Sequence, residues 1–150
     1  MGGIKAQIGN RFATGTAIKT FLQILGLANR RVTVGEVGIG LEGVSNTAVP
    51  LDFGLIDQTG AGTASASTEE TLDRGEPLTP QVVGQENFTV EPTSDDNFFP
   101  RWAIHPQTHH VYAPVPGFEI IISGALRIGL KAITAPGASI NGSYYLQWEE

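Results

Sequence analysis

The residues best suited to chemistry are three histidines in one short stretch, His105-Pro106-Gln107-Thr108-His109-His110. Imidazoles this close together could hold zinc or nickel, with Asp95, Asp96 or Glu119 as a carboxylate ligand. Pro106 keeps them off a shared helix face, and a solvated loop is the expected state, so no metal site is assigned. Carboxylates come as adjacent pairs, Glu69-Glu70, Asp95-Asp96 and Glu149-Glu150. Adjacent residues on a strand point to opposite faces, so such pairs do not converge as an acid and a base. Solvation is their expected role. The stretch Gly38-Ile39-Gly40-Leu41-Glu42-Gly43 matches G-x-G-x-x-G letter for letter. A dinucleotide site needs a helix directly after it, so that pyrophosphate meets the helix N-terminus. Here Ser45, Asn46 and Pro50 follow, and the glycines read as strand glycines. The chain has neither a G-x-S-x-G elbow nor a phosphate loop ending in Gly-Lys-Ser/Thr. No catalytic residue and no cofactor follow from these motifs, and the expectation is that the chain is not an enzyme.

Bulk composition narrows the classes further. The 150 residues carry a formal net charge of −6. Wrapping a phosphate backbone needs clustered Lys and Arg, so nucleic acid is not an expected partner. There is no cysteine, which excludes disulfides, thiolate nucleophiles and cysteine-ligated metals. No apolar run approaches the ~18 residues of a membrane-spanning helix, and no signal-like opening is seen, so neither membrane insertion nor secretion is expected. The length suits one domain with one core.

The elements that must position these residues read as short strands. Glycines and prolines are scattered without a repeat, as in sheet proteins with frequent turns. Val32 to Leu41 alternates most clearly, with a phase slip at Gly35-Glu36 that predicts a β-bulge. Leu51, Phe53 and Leu55 alternate, as do Phe118, Ile120 and Ile122, then Leu126, Ile128, Leu130 and Ala132, then Tyr144, Leu146 and Trp148. Phe88 and Val90 mark another strand, as do Trp102 and Ile104, and Ser123-Gly124 suits a hairpin turn. Ala17 to Leu27 fits both a helical and a period-two pattern, and a strand is favoured. Thr59 to Ser67 fits a loop or an edge strand; Leu72 to Pro80 and the acidic Pro92 to Asn97 read as connections. Eight to ten strands without an amphipathic helix predict an all-β, antiparallel β-sandwich of jelly-roll type.

Gly2 to Gly15 stands apart. Its apolar residues Ile4, Ile8 and Phe12 are spaced by four, and glycines oppose a helix. Residues 1–15 are therefore expected to form an extended N-terminal arm that orders against a partner, with residues 16–150 as the sandwich. Lys5, Arg11, Arg30 and Arg31 concentrate positive charge near the start of an acidic chain, which would suit docking on an acidic surface. Ile4, Lys5, Ile8, Arg11 and Phe12 are the expected contact residues. Trp102, Trp148, Tyr144 and Tyr145 could form a sugar-stacking platform, but on alternating strands they read as core or interface.

Several segments together resemble a known family. Thr16-Ala17-Ile18-Lys19-Thr20-Phe21-Leu22-Gln23-Ile24-Leu25, Ala28-Asn29-Arg30-Arg31-Val32, Glu36-Val37-Gly38-Ile39 and Gly43 resemble the opening of small tailed-phage and prophage virion proteins. Trp102 with His105-Pro106-Gln107, Leu126-Arg127-Ile128-Gly129-Leu130, Thr134-Ala135-Pro136 and Tyr145-Leu146-Gln147-Trp148-Glu149-Glu150 are similar to the second half of those proteins. The resemblance implies a capsid decoration (cement) protein, a homotrimer on the virion capsid surface whose partner is the major capsid protein. It also implies synthesis in the host cytoplasm. No active-site residue transfers with it. A tail, fibre or surface module that binds a receptor or carbohydrate is the alternative, with the loop aromatics and histidines as its site. A cupin-like metalloenzyme is the third, although the cupin H-x-H…E pattern is not reproduced.

Overall fold

Alternation of apolar and polar residues has one stable outcome here: greasy faces closed against each other in two sheets. The computed structural model describes residues 3–44 and 50–150. Twelve strands follow one another: β1 (Lys5–Ala13), β2 (Thr20–Leu25), β3 (Arg31–Leu41), β4 (Leu51–Gln58), β5 (Thr63–Ala66), β6 (Glu70–Thr71), β7 (Val83–Val90), β8 (Ser94–Ile104), β9 (His109–Tyr112), β10 (Ile120–Ser123), β11 (Arg127–Ala132) and β12 (Asn141–Glu149). The first sheet runs β10-β3-β12-β1-β6, with β9 also on β3, and the second runs β5-β7-β2-β11-β4-β8. The strand pairs are antiparallel, and the protein is an all-β sandwich.

The core lies between the sheets. Val32, Val34, Val37, Ile39, Leu146 and Trp148 face it from the first sheet, and Leu22, Ile24, Phe53, Leu55 and Leu130 from the second. At its centre Phe21 lies parallel to Tyr144, with ring centroids 4.4 Å apart, and Phe12 stacks on Tyr144 at 4.9 Å. Two register shifts tune this packing. Gln147 opposes Glu36 and Trp148 opposes Val34, so Gly35 is the extra residue of the expected bulge. Leu130 opposes Leu22 while Lys131 opposes Thr20, so Phe21 is also unpaired in that ladder. That second bulge lets the consecutive residues Phe21 and Leu22 both enter the core.

The N-terminal segment departs from expectation. Lys5–Ala13 is not an arm; it pairs along its whole length with β12 and carries β6 on its other side. Ile4, Ala6 and Ile8 are buried while Lys5, Gly9 and Arg11 face outward. A spacing of four is also an even spacing, so Ile4 and Ile8 lie on one face of a strand as well as of a helix, with Ala6 as the small residue between them. The division into 1–15 and 16–150 therefore does not follow a structural boundary.

Three smaller differences matter for the surface. Ser94–Asn97, expected in a loop, already belongs to β8. Ser123-Gly124 does not close a hairpin: β10 pairs with β3 in the first sheet and β11 with β2 and β4 in the second, so the turn at Gly124 (φ +86°) carries the chain between sheets. Thr63–Ala66 takes the edge-strand option, paired with β7.

Candidate functional site

The five expected contact residues sit in two different settings. Ile4 is 7% exposed, Ile8 is 1% exposed, and Phe12 is half-buried in the aromatic stack, so their apolar surface is spent on the core. Lys5 and Arg11 point outward from the same strand. Arg11 is engaged, with Nη2 2.7 Å from a Glu42 carboxylate oxygen and Nε 3.1 Å from both oxygens. That contact raises the Arg11 pKa and holds the Glu42 carboxyl below its ordinary range, chiefly by hydrogen bonding.

The histidines do not converge. His105 and His109 are exposed, and His105 Nδ1 accepts the backbone N–H of Gln107 within the turn at 3.2 Å. His110 leans on Trp102, with centroids 5.2 Å apart, and Trp102 also meets Tyr112 at 5.5 Å. Among the described residues, no group of three or more His, Asp or Glu is placed to hold a metal ion. The four aromatic candidates divide as well. Tyr144 and Trp148 are core, whereas Trp102 and Tyr145 are half-buried on different parts of the surface. The Tyr145 ring lies over Gly38, where a β-carbon would collide with it, and its hydroxyl donates to Glu36.

Three glutamates of the carboxylate pairs, Glu69, Glu149 and Glu150, have more specific work than solvation. One Glu150 oxygen accepts the N–H of Gln81 at 2.5 Å, and the other accepts Val82 N–H at 3.0 Å and Trp148 Nε1–H at 3.1 Å. Glu69 accepts the Gly84 N–H at 2.7 Å, and Glu149 accepts that of Gly3 at 2.9 Å. The Glu150 bonds fasten the segment between β4 and β8 to β12, the Glu69 bond braces that segment internally, and the Glu149 bond ties the two ends of the chain together. A second polar chain was hidden in the strands. Gln23 donates to Gln58, Gln58 to the Thr20 hydroxyl, and Thr20 to Glu91, at 2.7 to 2.9 Å. Lys131 stands 3.8 Å from the same Glu91. Buried amides and hydroxyls need such partners, so this chain reads as structure.

What the surface offers instead is apolar. Around β10, Phe118 is 77% exposed, Ile121 51% and Leu126 60%. With Ile120, Ile122, Ile128 and the carboxylates Asp57 and Glu119 they line an open cleft of about 410 Å³. Burial, then the charge of Asp95, pushes the Asp57 carboxyl above its ordinary range. Val111 on β9 and Val115 in the following turn are exposed on the same stretch of chain. The sequence signal was three consecutive isoleucines, of which a strand can turn only alternate ones inward.

A scan against protein-family models, a search of curated proteins and a search of solved structures each gave no match.

Proposed function

We propose that this protein is a non-enzymatic structural subunit of a phage virion, a capsid decoration protein that binds and stabilises a shell of major capsid protein. The observation that carries this reading is the set of large apolar side chains exposed at and around β10, which suits adhesion to another protein surface. The sequence resemblance points the same way. We read the sandwich as a jelly roll. Two rows of four positions support this: β1, β12, β3 and a fourth position shared by β9 and β10 along β3 in one sheet, and β2-β11-β4-β8 in the other. Strands β5, β6 and β7 are then an insertion that adds to the β1 and β2 edges.

In this reading the grip differs from an arm that drapes over neighbours. Ile4, Ile8 and Phe12 support the fold, and contact falls to the exposed apolar residues around β10 and to Lys5 and Arg11 on the outer face of the same sheet. Three copies around a symmetry axis would let modest contacts act together through high effective concentration. The test is co-sedimentation of the full chain with purified shells. Specific, saturable binding that Phe118→Ser weakens is expected. Failure to bind any shell from its own virus, or location in the tail of purified particles, would overturn the proposal.

The Trp102–His110–Tyr112 cluster favours one other reading, a surface module that stacks a sugar on half-exposed aromatic rings. Glycan binding that Trp102→Ala or His109→Ala abolishes without unfolding would support it. Binding unchanged by both would remove it.

A further inference from the structure

We infer that β10 is a docking edge for a second copy of this chain, pairing with itself across a two-fold axis. Strand β10 ends the first sheet, and its backbone is bonded on one side only, to β3. No other strand, turn or loop among the described residues hydrogen-bonds it. Exposed edges in proteins that stay apart are blunted by charge, proline or brevity, because unpaired N–H and C=O groups recruit other strands. Three of the other edges are short, charged or built of small residues, whereas β9, bonded only to β3, is a second edge with neither acidic nor basic charge nor proline. Strand β6 has two residues, one of them Glu70; β8 carries Asp95, Pro100 and Arg101; β5 is the small polar run Thr63-Ala64-Ser65-Ala66. Strand β10 is Ile120-Ile121-Ile122-Ser123, with neither charge nor proline, and Phe118 and Leu126 are exposed beside it.

The register supplies the choice of partner. Ile121 opposes Thr33, and Ser123 opposes Arg31, so Ile121, Ser123, Thr33 and Arg31 share the outer face of the sheet. Let two β10 strands run antiparallel with Ile121 on the axis. Each Ile121 then covers its own copy, and each Ser123 meets Glu119 of the second copy. Arg31 is exposed and makes no ion pair among the described residues. It would lie two strand spacings, about 10 Å between Cα atoms, from that Glu119 on the same face. Arginine and glutamate side chains span this gap together. Symmetry makes two such pairs, one on each side of the isoleucines. The contact therefore matches apolar to apolar and cation to anion in a single register. A two-fold contact also closes on itself, whereas a head-to-tail strand addition would grow into a filament. It would occupy part of the apolar surface offered above for shell binding, and cross-linking of the free protein tests it independently of any shell.

A chain without cysteine allows a direct test. Directly opposed residues of an antiparallel pair have Cα atoms about 4.5–5.5 Å apart, inside the range a disulfide bridges. Oxidation of full-length Ile121→Cys protein should give a covalent dimer at least ~10-fold faster than Val90→Cys, whose thiol would be similarly exposed on β7. By sedimentation, the wild-type chain should form species with an even number of copies, two or, if trimers also form, six. Arg31→Glu should weaken this about tenfold, and adding Glu119→Arg should restore it. Circular dichroism checks that each variant folds. Equal oxidation rates at the two positions, a wild-type chain with only odd-numbered species, or no rescue by the double reversal would each overturn the inference.

Discussion

Replacing Tyr144 by Phe should make the protein more stable, although it deletes a polar group from its most densely packed aromatic cluster. The Tyr144 side chain is 2% exposed, and its hydroxyl has no hydrogen-bond partner among the described residues. The hydroxyl occupies space above Gly142, where a β-carbon would come within 2.5 Å of it. Burial without a partner drives the phenol pKa far above its ordinary value. A buried hydroxyl left unpaired costs about 1–3 kcal/mol relative to water. Deleting one oxygen opens a void of roughly 10–15 Å³, worth only about 0.3 kcal/mol at ~24 cal/mol per Å³. The rings of Phe12 and Phe21 keep their stacked partner. The net expectation is a gain of about 1 kcal/mol, or a melting temperature higher by roughly 2–4 °C for a chain of this size. In urea the midpoint should rise with an unchanged slope. Tyr145→Phe is the matched contrast. That hydroxyl donates to Glu36 at a half-buried site, and its loss should cost about 1 kcal/mol. A Tyr144→Phe protein less stable than wild type would refute the reasoning, because the hydroxyl would then have a stabilising partner.

Deleting residues 3–13 should abolish cooperative unfolding in a thermal melt, because β1 lies between β12 and β6 and buries Ile8. A truncated chain that melts like the full one would restore the arm. Glu150→Gln converts an acceptor of three N–H groups into a weaker one, so stability should fall by about 1–3 kcal/mol. Hydrogen exchange at Gln81 and Val82 should accelerate first; unchanged protection there would count against the clamp. Tyr145 supplies a pH dependence. Burial and the Glu36 carboxylate push its pKa from an ordinary 10 up to about 12. Between those values the unfolded chain has lost a proton that the folded chain retains, so the stability is present below pH 10 and lost as pH rises towards 12. Urea midpoints across that window should fall in wild type more steeply than in Tyr145→Phe.

Much of the sandwich was legible because its signal is local. Val32 to Leu41 alternates, and the slip at Gly35 predicts the bulge that lets Trp148 and Gln147 keep register. The first strand was missed for a physical reason. Ala6 contributes little hydrophobicity, yet it is fully buried, and without it Ile4, Ile8 and Phe12 show a spacing that a helix and a strand share. What recruits this segment is β12, more than 130 residues away in sequence, where Ala6 opposes Trp148 and Ile8 opposes Leu146. Gln23 likewise looked like a break in an apolar run. Its amide is buried because Gln58 and the Gly60 carbonyl wait for it on the far face of the second sheet. The glutamate pairs resembled solvated charge because their partners are backbone N–H groups, which no side-chain pattern advertises.

The two sides of the sandwich differ in how their sheet edges are covered. The segment between β4 and β8 crosses one side of the sandwich and lays β6 on β1 and β7 on β2. Those two edges are therefore covered by the chain itself; Glu150 ties the cover to the end of β12, and Glu69 braces it internally. Gly84 of that cover packs close against Ile8, so the lid and the first strand share one contact surface. On the opposite side, β10 keeps a bare backbone edge among exposed apolar side chains. A fold that uses residues 59–93 to close one side while leaving Ile121, Phe118 and Leu126 exposed on the other supports selective association at the open side. Loosening the cover should therefore redirect association. Glu150→Gln protein should acquire aggregation that Ile121→Lys does not suppress, measured by light scattering on mild heating; suppression by Ile121→Lys would place the sticky edge at β10 in both proteins.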